Sequence, residues 1–231
     1  MLFRSQGPEH SSARLERFLQ LAADENIRVV NCTEASQYFH VLRRQALLLQ
    51  KAPRPLIVMS PKSLLRNPIN ASSLAEFTNG KFRPVIDDPD AGKKRDHVTR
   101  VVFCSGKVYY DTAKSPAYSE ANRVALVRVE ELYPFPRREV QEVIAGYPEA
   151  TEVVWLQEEP ANMGAWSYVE PILREITGAG FTITYCGRRV SASPAEGSLK
   201  RHVVEQNRIV AEALSGTPVA KGRRSKVTNA R

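Results

Sequence analysis

Apolar positions recur at two different periods along this chain. After Ser11-Ser12, residues Leu15, Phe18, Leu19 and Ala22 fall at helical spacing. Ile27-Arg28-Val29-Val30 then reads as a strand. Thr33 is placed to cap a second helix, whose stripe is Ala35, Tyr38, Phe39, Leu42 and Ala46. Pro53 and Pro55 stop that helix, and Leu56-Ile57-Val58-Met59 is a short buried strand. Residues 1–66 therefore predict helix, strand, helix, strand. Two strands are too few for a stable sheet, so this segment is expected to need partner strands from outside the chain.

Residues 67–97 carry little periodicity, three prolines (Pro68, Pro84, Pro89) and a run of mixed charge, and they read as a linker. From Val98 strand-like runs appear at 98–104, 123–129, 152–157 and 181–185. The gaps between them hold crossover helices, which predicts a mostly parallel sheet over residues 98–216. Pro136-Arg137-Arg138 starts one helix and Gly164-Ala165-Trp166 another. Leu199, Val203, Val210 and Leu214 mark one face of the last. The fold class is α/β.

Composition changes this picture little. The 231 residues are 42% hydrophobic and 25% charged, as in a globular chain. Cys32, Cys104 and Cys186 are far apart and odd in number, so neither a disulfide framework nor a zinc site is signalled. No apolar run reaches the length of a membrane span, and no apolar core of a signal peptide follows Met1-Leu2-Phe3-Arg4-Ser5. The net charge of +8 is concentrated at one end. Residues 217–231 carry Lys221, Arg223, Arg224, Lys226 and Arg231 and no acid; without them 28 basic residues face 25 acidic ones. A disordered basic tail is expected there. No aromatic-rich basic surface accompanies it, which argues against a nucleic-acid partner.

Candidate chemistry is sparse. Gly106-Lys107 lacks the frame of a phosphate-binding loop, and the glycine is read as freeing the backbone for a turn after a strand. Glu158 and Glu159 are adjacent, so on an extended strand they point to opposite sides and make a poor acid/base pair.

Several strings together carry a family resemblance. They are Gln6-Gly7-Pro8-Glu9-His10-Ser11-Ser12, Tyr38-Phe39-His40-Val41-Leu42-Arg43-Arg44-Gln45, Ser60-Pro61-Lys62-Ser63-Leu64-Leu65-Arg66, Cys104-Ser105-Gly106-Lys107-Val108-Tyr109-Tyr110-Asp111, Tyr133-Pro134-Phe135-Pro136, Gln157-Glu158-Glu159-Pro160 and Arg189-Val190-Ser191-Ala192-Ser193-Pro194-Ala195. In this order, from residue 6 to about 214, the chain resembles the late part of the thiamine-diphosphate-dependent first component of the 2-oxoglutarate dehydrogenase complex.

The resemblance implies an incomplete pyrimidine-binding domain of transketolase type over 1–66, followed by a transketolase-like C-terminal domain over 98–216 with a mostly parallel sheet. Members of that family are several times longer, and they read His-Gly-Tyr-Glu-Gly just before the shared loop. A truncated version of a longer chain is therefore expected. The implied activity of the whole protein is oxidative decarboxylation of 2-oxoglutarate and succinyl transfer to lipoyl groups in the tricarboxylic acid cycle. Relatives acting on 2-oxoadipate, or decarboxylating to the semialdehyde, remain open alternatives. So does a reading of another class, a non-catalytic structural or regulatory module that pairs with a separate cofactor-binding chain.

Thiamine diphosphate and Mg²⁺ are the cofactors implied for the full-length enzyme. The Gly-Asp-Gly motif that holds them in the family occurs nowhere here, so no cofactor binding is expected of this chain alone. Implied partners are a second copy, through the transketolase-like core, and the lipoyl-bearing succinyltransferase. The implied location is the cytoplasm, or the mitochondrial matrix if the source is eukaryotic. His10 is a candidate substrate-loop residue, against the plainer role of fixing the Gly7-Pro8 turn. Arg14, Arg17, Arg43 and Arg44 are candidates for an effector phosphate, against ordinary salt-bridge roles.

Overall fold

A computed structural model describes residues 13–215. In chain order the elements are α1 (Leu15–Gln20), β1 (Arg28–Val30), α2 (Ala35–Leu48), β2 (Leu56–Val58), α3 (Leu74–Asn79), β3 (Val85–Ile86), α4 (Ala91–Lys94), β4 (Arg100–Cys104), α5 (Val108–Ala113), α6 (Pro116–Glu120), β5 (Val124–Val129), β6 (Glu131–Tyr133), α7 (Arg137–Ala145), β7 (Glu152–Pro160), α8 (Trp166–Thr177), β8 (Thr182–Arg188) and α9 (Leu199–Ser215).

The fold is α/β, with two sheets. The larger runs β3-β5-β4-β7-β8, and its last four strands are parallel. All five residues of β4 and all six of β5 are buried, as expected when helices cover both faces. Alternation along β4 sorts the core. Val101 and Phe103 join a cluster with Val127, Val153, Trp155, Val169 and Leu173. Val102 and Cys104 face the other way, onto Leu126, Val154, Leu156 and, from α9, Ile209, Val210 and Ala213.

The smaller sheet runs β2-β1-β6. Its third strand corrects the expectation that every partner strand must come from elsewhere. β6 is Glu131–Tyr133 of the second half, and it pairs antiparallel with β1. A single residue, Glu130, separates it from β5. Leu15, Leu19 and Val29 share one hydrophobic cluster with β4, β5 and β7, so the two sheets are built on a common core.

The stretch 67–97, expected as a linker, is built into the fold. α3 opens with a capping box between Ser73 and Glu76. β3 then adds antiparallel to β5. Phe82, Ile86, Asp88 and Ala91 are buried. A two-residue strand has no period to detect, and its anchor is a carboxylate rather than an apolar stripe.

Three local expectations also change. Thr33 does not cap α2; the N-cap is Glu34, and Thr33 is fully buried with its hydroxyl on Glu130. α2 buries a polar face, Ser36, Gln37 and His40 with Val41, while Tyr38, Phe39 and Leu42 are exposed. In α9 Val210 and Leu214 are buried, but Leu199 and Val203 are exposed because the helix begins beyond the edge of the sheet core. The basic tail over 217–231 lies outside the described residues.

Candidate functional site at the carboxyl ends of the parallel strands

The sheet order sets one special location. β4 is followed in the chain by β5 on one side, while β7 lies on its other side. The connection after β4 therefore runs to one side and the connection after β7 to the other, which makes the carboxyl ends of β4 and β7 a topological switch point. The residues there come from the turns after those strands.

β4 ends at Cys104, and the chain turns through Ser105 and Gly106 into α5. Gly106 has φ +71°, and a Cβ on it would run into the side-chain amide of Asn31. Only glycine fits that turn without strain. The turn presents Lys107, whose ammonium contacts Asp111 one helical turn on and Glu158 of β7 at 3.3 Å. Asp111 also accepts from Gln206 of α9 at 2.8 Å, and Gln206 accepts from Arg188 of β8 at 2.9 Å. Arg188 closes the ring by donating to the backbone carbonyl of Glu158. It also reaches Nδ1 of His202 at 3.2 Å and pairs with Glu196 at 3.3 Å.

The electrostatics follow from this ring. Burial pulls the Glu158 carboxyl up, but Lys107 and Arg188 more than reverse it, so its pKa lies below the ordinary glutamate value. Burial opposes the Lys107 charge, and Glu158 and Asp111 together raise its pKa. Glu159 moves the other way, raised by burial and by its neighbour Glu158. His202 is lowered by burial and by Arg188. Glu158 and Glu159 do not act as a pair: Lys107 contacts only the first.

Gln157, buried beside this ring, organises the loop after β7. Its amide donates to the carbonyls of Glu159, Pro160 and Met163, and its oxygen accepts from Trp155 Nε1 and from the Ala165 and Trp166 amides. Gly164, at φ +71°, is held against that side chain. One glutamine thereby fixes the start of α8.

The site orients groups rather than activating a nucleophile. Both cations of the ring are held by carboxylates or carbonyls. Cys32, Cys104 and Cys186 are buried, and burial pushes each thiol well above its ordinary pKa, so none is a ready thiolate. Among the described residues no cluster of His, Cys, Asp or Glu is arranged to hold a metal.

The arginines expected around an effector phosphate take different partners. Arg44 makes a two-pronged pair with Glu131 and lies over the Phe82 ring at 4.3 Å. Arg14 reaches Glu16 at 3.2 Å and the Met163 sulfur at 3.3 Å. Arg17 and Arg43 are exposed. The fork of Arg44 is thus already filled by a carboxylate, because β6 brings Glu131 beside α2. His10 lies outside the described residues. Sequence reading missed the Lys107–Asp111–Gln206–Arg188–Glu158 ring. Lys107 and Asp111 at i,i+4 were the one local signal; the rest depends on strand order.

Comparison with known proteins agrees with this architecture. The family model for the transketolase pyrimidine-binding domain matches residues 2–68, and that for the 2-oxoglutarate dehydrogenase C-terminal region matches residues 71–214. The 2-oxoglutarate dehydrogenase E1 component of a Geobacillus species is 53% identical over 215 residues, covering 92% of this chain and 23% of the relative. The protein of the same name from an Exiguobacterium species is 50% identical over 223 residues, with 95% and 23% covered. That from Bacillus subtilis is 48% identical over 216 residues, with 92% and 23% covered. This chain therefore spans about a quarter of the length of the curated relatives it matches. With the C-terminal match extending across both faces of the larger sheet, the chain belongs to the 2-oxoglutarate dehydrogenase C-terminal family.

Proposed function

We propose that this chain serves as the carboxyl-terminal part of a thiamine-diphosphate-dependent 2-oxoglutarate dehydrogenase, which decarboxylates 2-oxoglutarate and passes the succinyl group to a lipoyl group. One observation carries the reading. The pyrimidine-binding match at 2–68 runs almost directly into the C-terminal match at 71–214, in a chain about half identical to proteins named for that activity. A bacterial cytoplasmic location accords with the bacterial relatives. No helix among the described residues is long and apolar enough to cross a membrane.

The cofactor's Mg²⁺ needs hard oxygen ligands bridging a diphosphate to protein. The described residues do not fit that requirement: the carboxylates of Glu158 and Asp111 at the strand ends are held by Lys107 and Gln206. The ligand set must be supplied by another segment, so no chemical step is assigned to this chain. Its contribution is architectural, a rigid parallel sheet whose strand ends present an ordered polar ring.

Calorimetry of the chain with thiamine diphosphate and Mg²⁺ tests this division. No saturable heat is expected. Micromolar binding would overturn it. Combining the chain with the remaining region of a matched relative should give decarboxylation of 2-oxoglutarate. Activity on 2-oxoadipate in its place would reassign the substrate, and activity on neither would favour a non-catalytic module.

The polar inner face and apolar outer face of α2 support pairing with a second copy. Tyr38, Phe39 and Leu42 are each more than two-fifths exposed, an arrangement suited to an interface. Leu42→Glu should shift the sedimentation coefficient of the assembled protein from dimer to monomer. An unchanged value would place the interface elsewhere.

A further inference from the structure

Glu130 is the single residue between β5 of the larger sheet and β6 of the smaller. Its side chain is fully buried, yet it ends in a carboxyl group. Every polar atom of the residue bridges separate parts of the fold. Its amide donates to the Pro84 carbonyl ahead of β3 at 2.8 Å, and its carbonyl accepts from the Asn31 amide after β1 at 2.9 Å. Its carboxyl oxygens take the Thr33 amide at 2.8 Å and the Thr33 hydroxyl at 2.5 Å. Thr33 is fully buried too, and its carbonyl accepts from Tyr110 of α5 at 2.8 Å.

The charges around this junction do not balance. Arg128 of β5 is the buried cation, and its guanidinium donates to Thr33 Oγ1 and pairs with Glu34. Arg83, before β3, is half-exposed and only 3.7 Å from Glu34. Glu131 next along the chain is already committed to Arg44. The remaining titratable groups facing the site are Cys32 after β1, Cys104 of β4, and Tyr109 and Tyr110 of α5. Burial raises the pKa of all four, so they stay neutral near pH 7. Two carboxylates thus share one buried guanidinium, and Glu34 holds it directly. A second negative charge in this dry junction is costly, and a proton on Glu130 removes it.

We propose that Glu130 is a proton-operated latch between the two sheets, holding the fold more firmly when its buried carboxyl is neutral than when it carries a charge. The carboxyl has two donors and no direct cation, and burial pushes its pKa up from 4.5 to about 7. A carboxyl raised in the folded state contributes stability that is fully present below its unfolded pKa. That contribution fades as pH rises and is gone above about 7.

The test follows the Glu130 carboxyl-carbon resonance in the wild-type chain through a pH titration, which needs no variant to fold. A midpoint near neutrality is expected, and one below about 5.5 would overturn the latch. Urea unfolding across about pH 5 to 8 supplies the second arm. Relative to Glu130→Gln, the wild-type folding constant should fall by up to about tenfold per pH unit between about pH 5 and 7. A constant ratio over that range would show that the proton has no effect. Thr33→Val removes one donor to the carboxylate and should move the carbon titration to higher pH. A merely structural role for Thr33 would lower stability without that shift.

Discussion

Asp88→Ala is expected to destabilise the fold by about 3–5 kcal/mol, a large part of what holds a domain together. The side chain of Asp88 is wholly buried. Its Oδ2 accepts from the Leu126 amide in β5, from the Tyr118 hydroxyl in α6 and from the Lys94 ammonium, each at 2.8 Å. Its Oδ1 accepts from the Asp90 amide at 2.8 Å. Truncation strands four donors at once, and Lys94, itself only 11% exposed, becomes an uncompensated buried charge. Lys94 also lies over the Tyr118 ring at 4.8 Å, so it cannot swing out to water without giving up that contact. Asn is a poor rescue, because its amide would point a donor at donors. Urea melts measure the effect. At the usual slopes the midpoint should drop by about 1–3 M, and a drop within error would mean that β3 and α4 are not anchored through this carboxylate.

That prediction falls in a segment the sequence pattern did not reveal. The strands of the larger sheet were legible because each is rich in β-branched, aromatic or other apolar residues between turns, and the observed β4, β5, β7 and β8 lie within a few residues of the expected runs. Residues 67–97 were opaque for a physical reason. Their hold on the fold comes from Asp87 on Tyr147, from Arg95 on the Gly146 carbonyl and from Asp88 on β5, contacts between residues far apart in the chain. α2 misled in a different way. Its stripe of Tyr38, Phe39 and Leu42 is real, but the pattern reports that a face is apolar and not what covers it. The family was legible from ordered strings of residues, and the comparisons agree with it. The polar ring at Lys107 and the Glu130 junction were not legible, since each joins four or more elements.

Arg100→Met should cost about 3–5 kcal/mol and should loosen α9 before the rest of the molecule. Arg100 begins β4, and its side chain is 5% exposed. The guanidinium grips Glu152 of the neighbouring β7 with both oxygens, at 2.7 and 2.8 Å. Its remaining arm donates to the carbonyls of Glu212 and Ala213 at 2.9 and 3.1 Å. Those carbonyls lie in the last turn of α9, where positive charge is favoured. One side chain therefore ties two parallel strands to the end of the helix that covers Val102, Val154 and Leu156. Methionine fills the volume but leaves Glu152 with Thr184 alone, at 3.1 Å. Lysine keeps the charge without the fork, so Arg100→Lys should cost about half as much. Hydrogen exchange separates the two effects. Amides of residues 209–214 should lose protection by more than those of β4 in Arg100→Met, whereas equal loss across both would show that the arginine acts on the sheet and not on the helix end. A double-mutant cycle with Glu152→Gln completes the argument: a coupling near zero would mean that the helix carbonyls, and not the carboxylate, are what Arg100 stabilises.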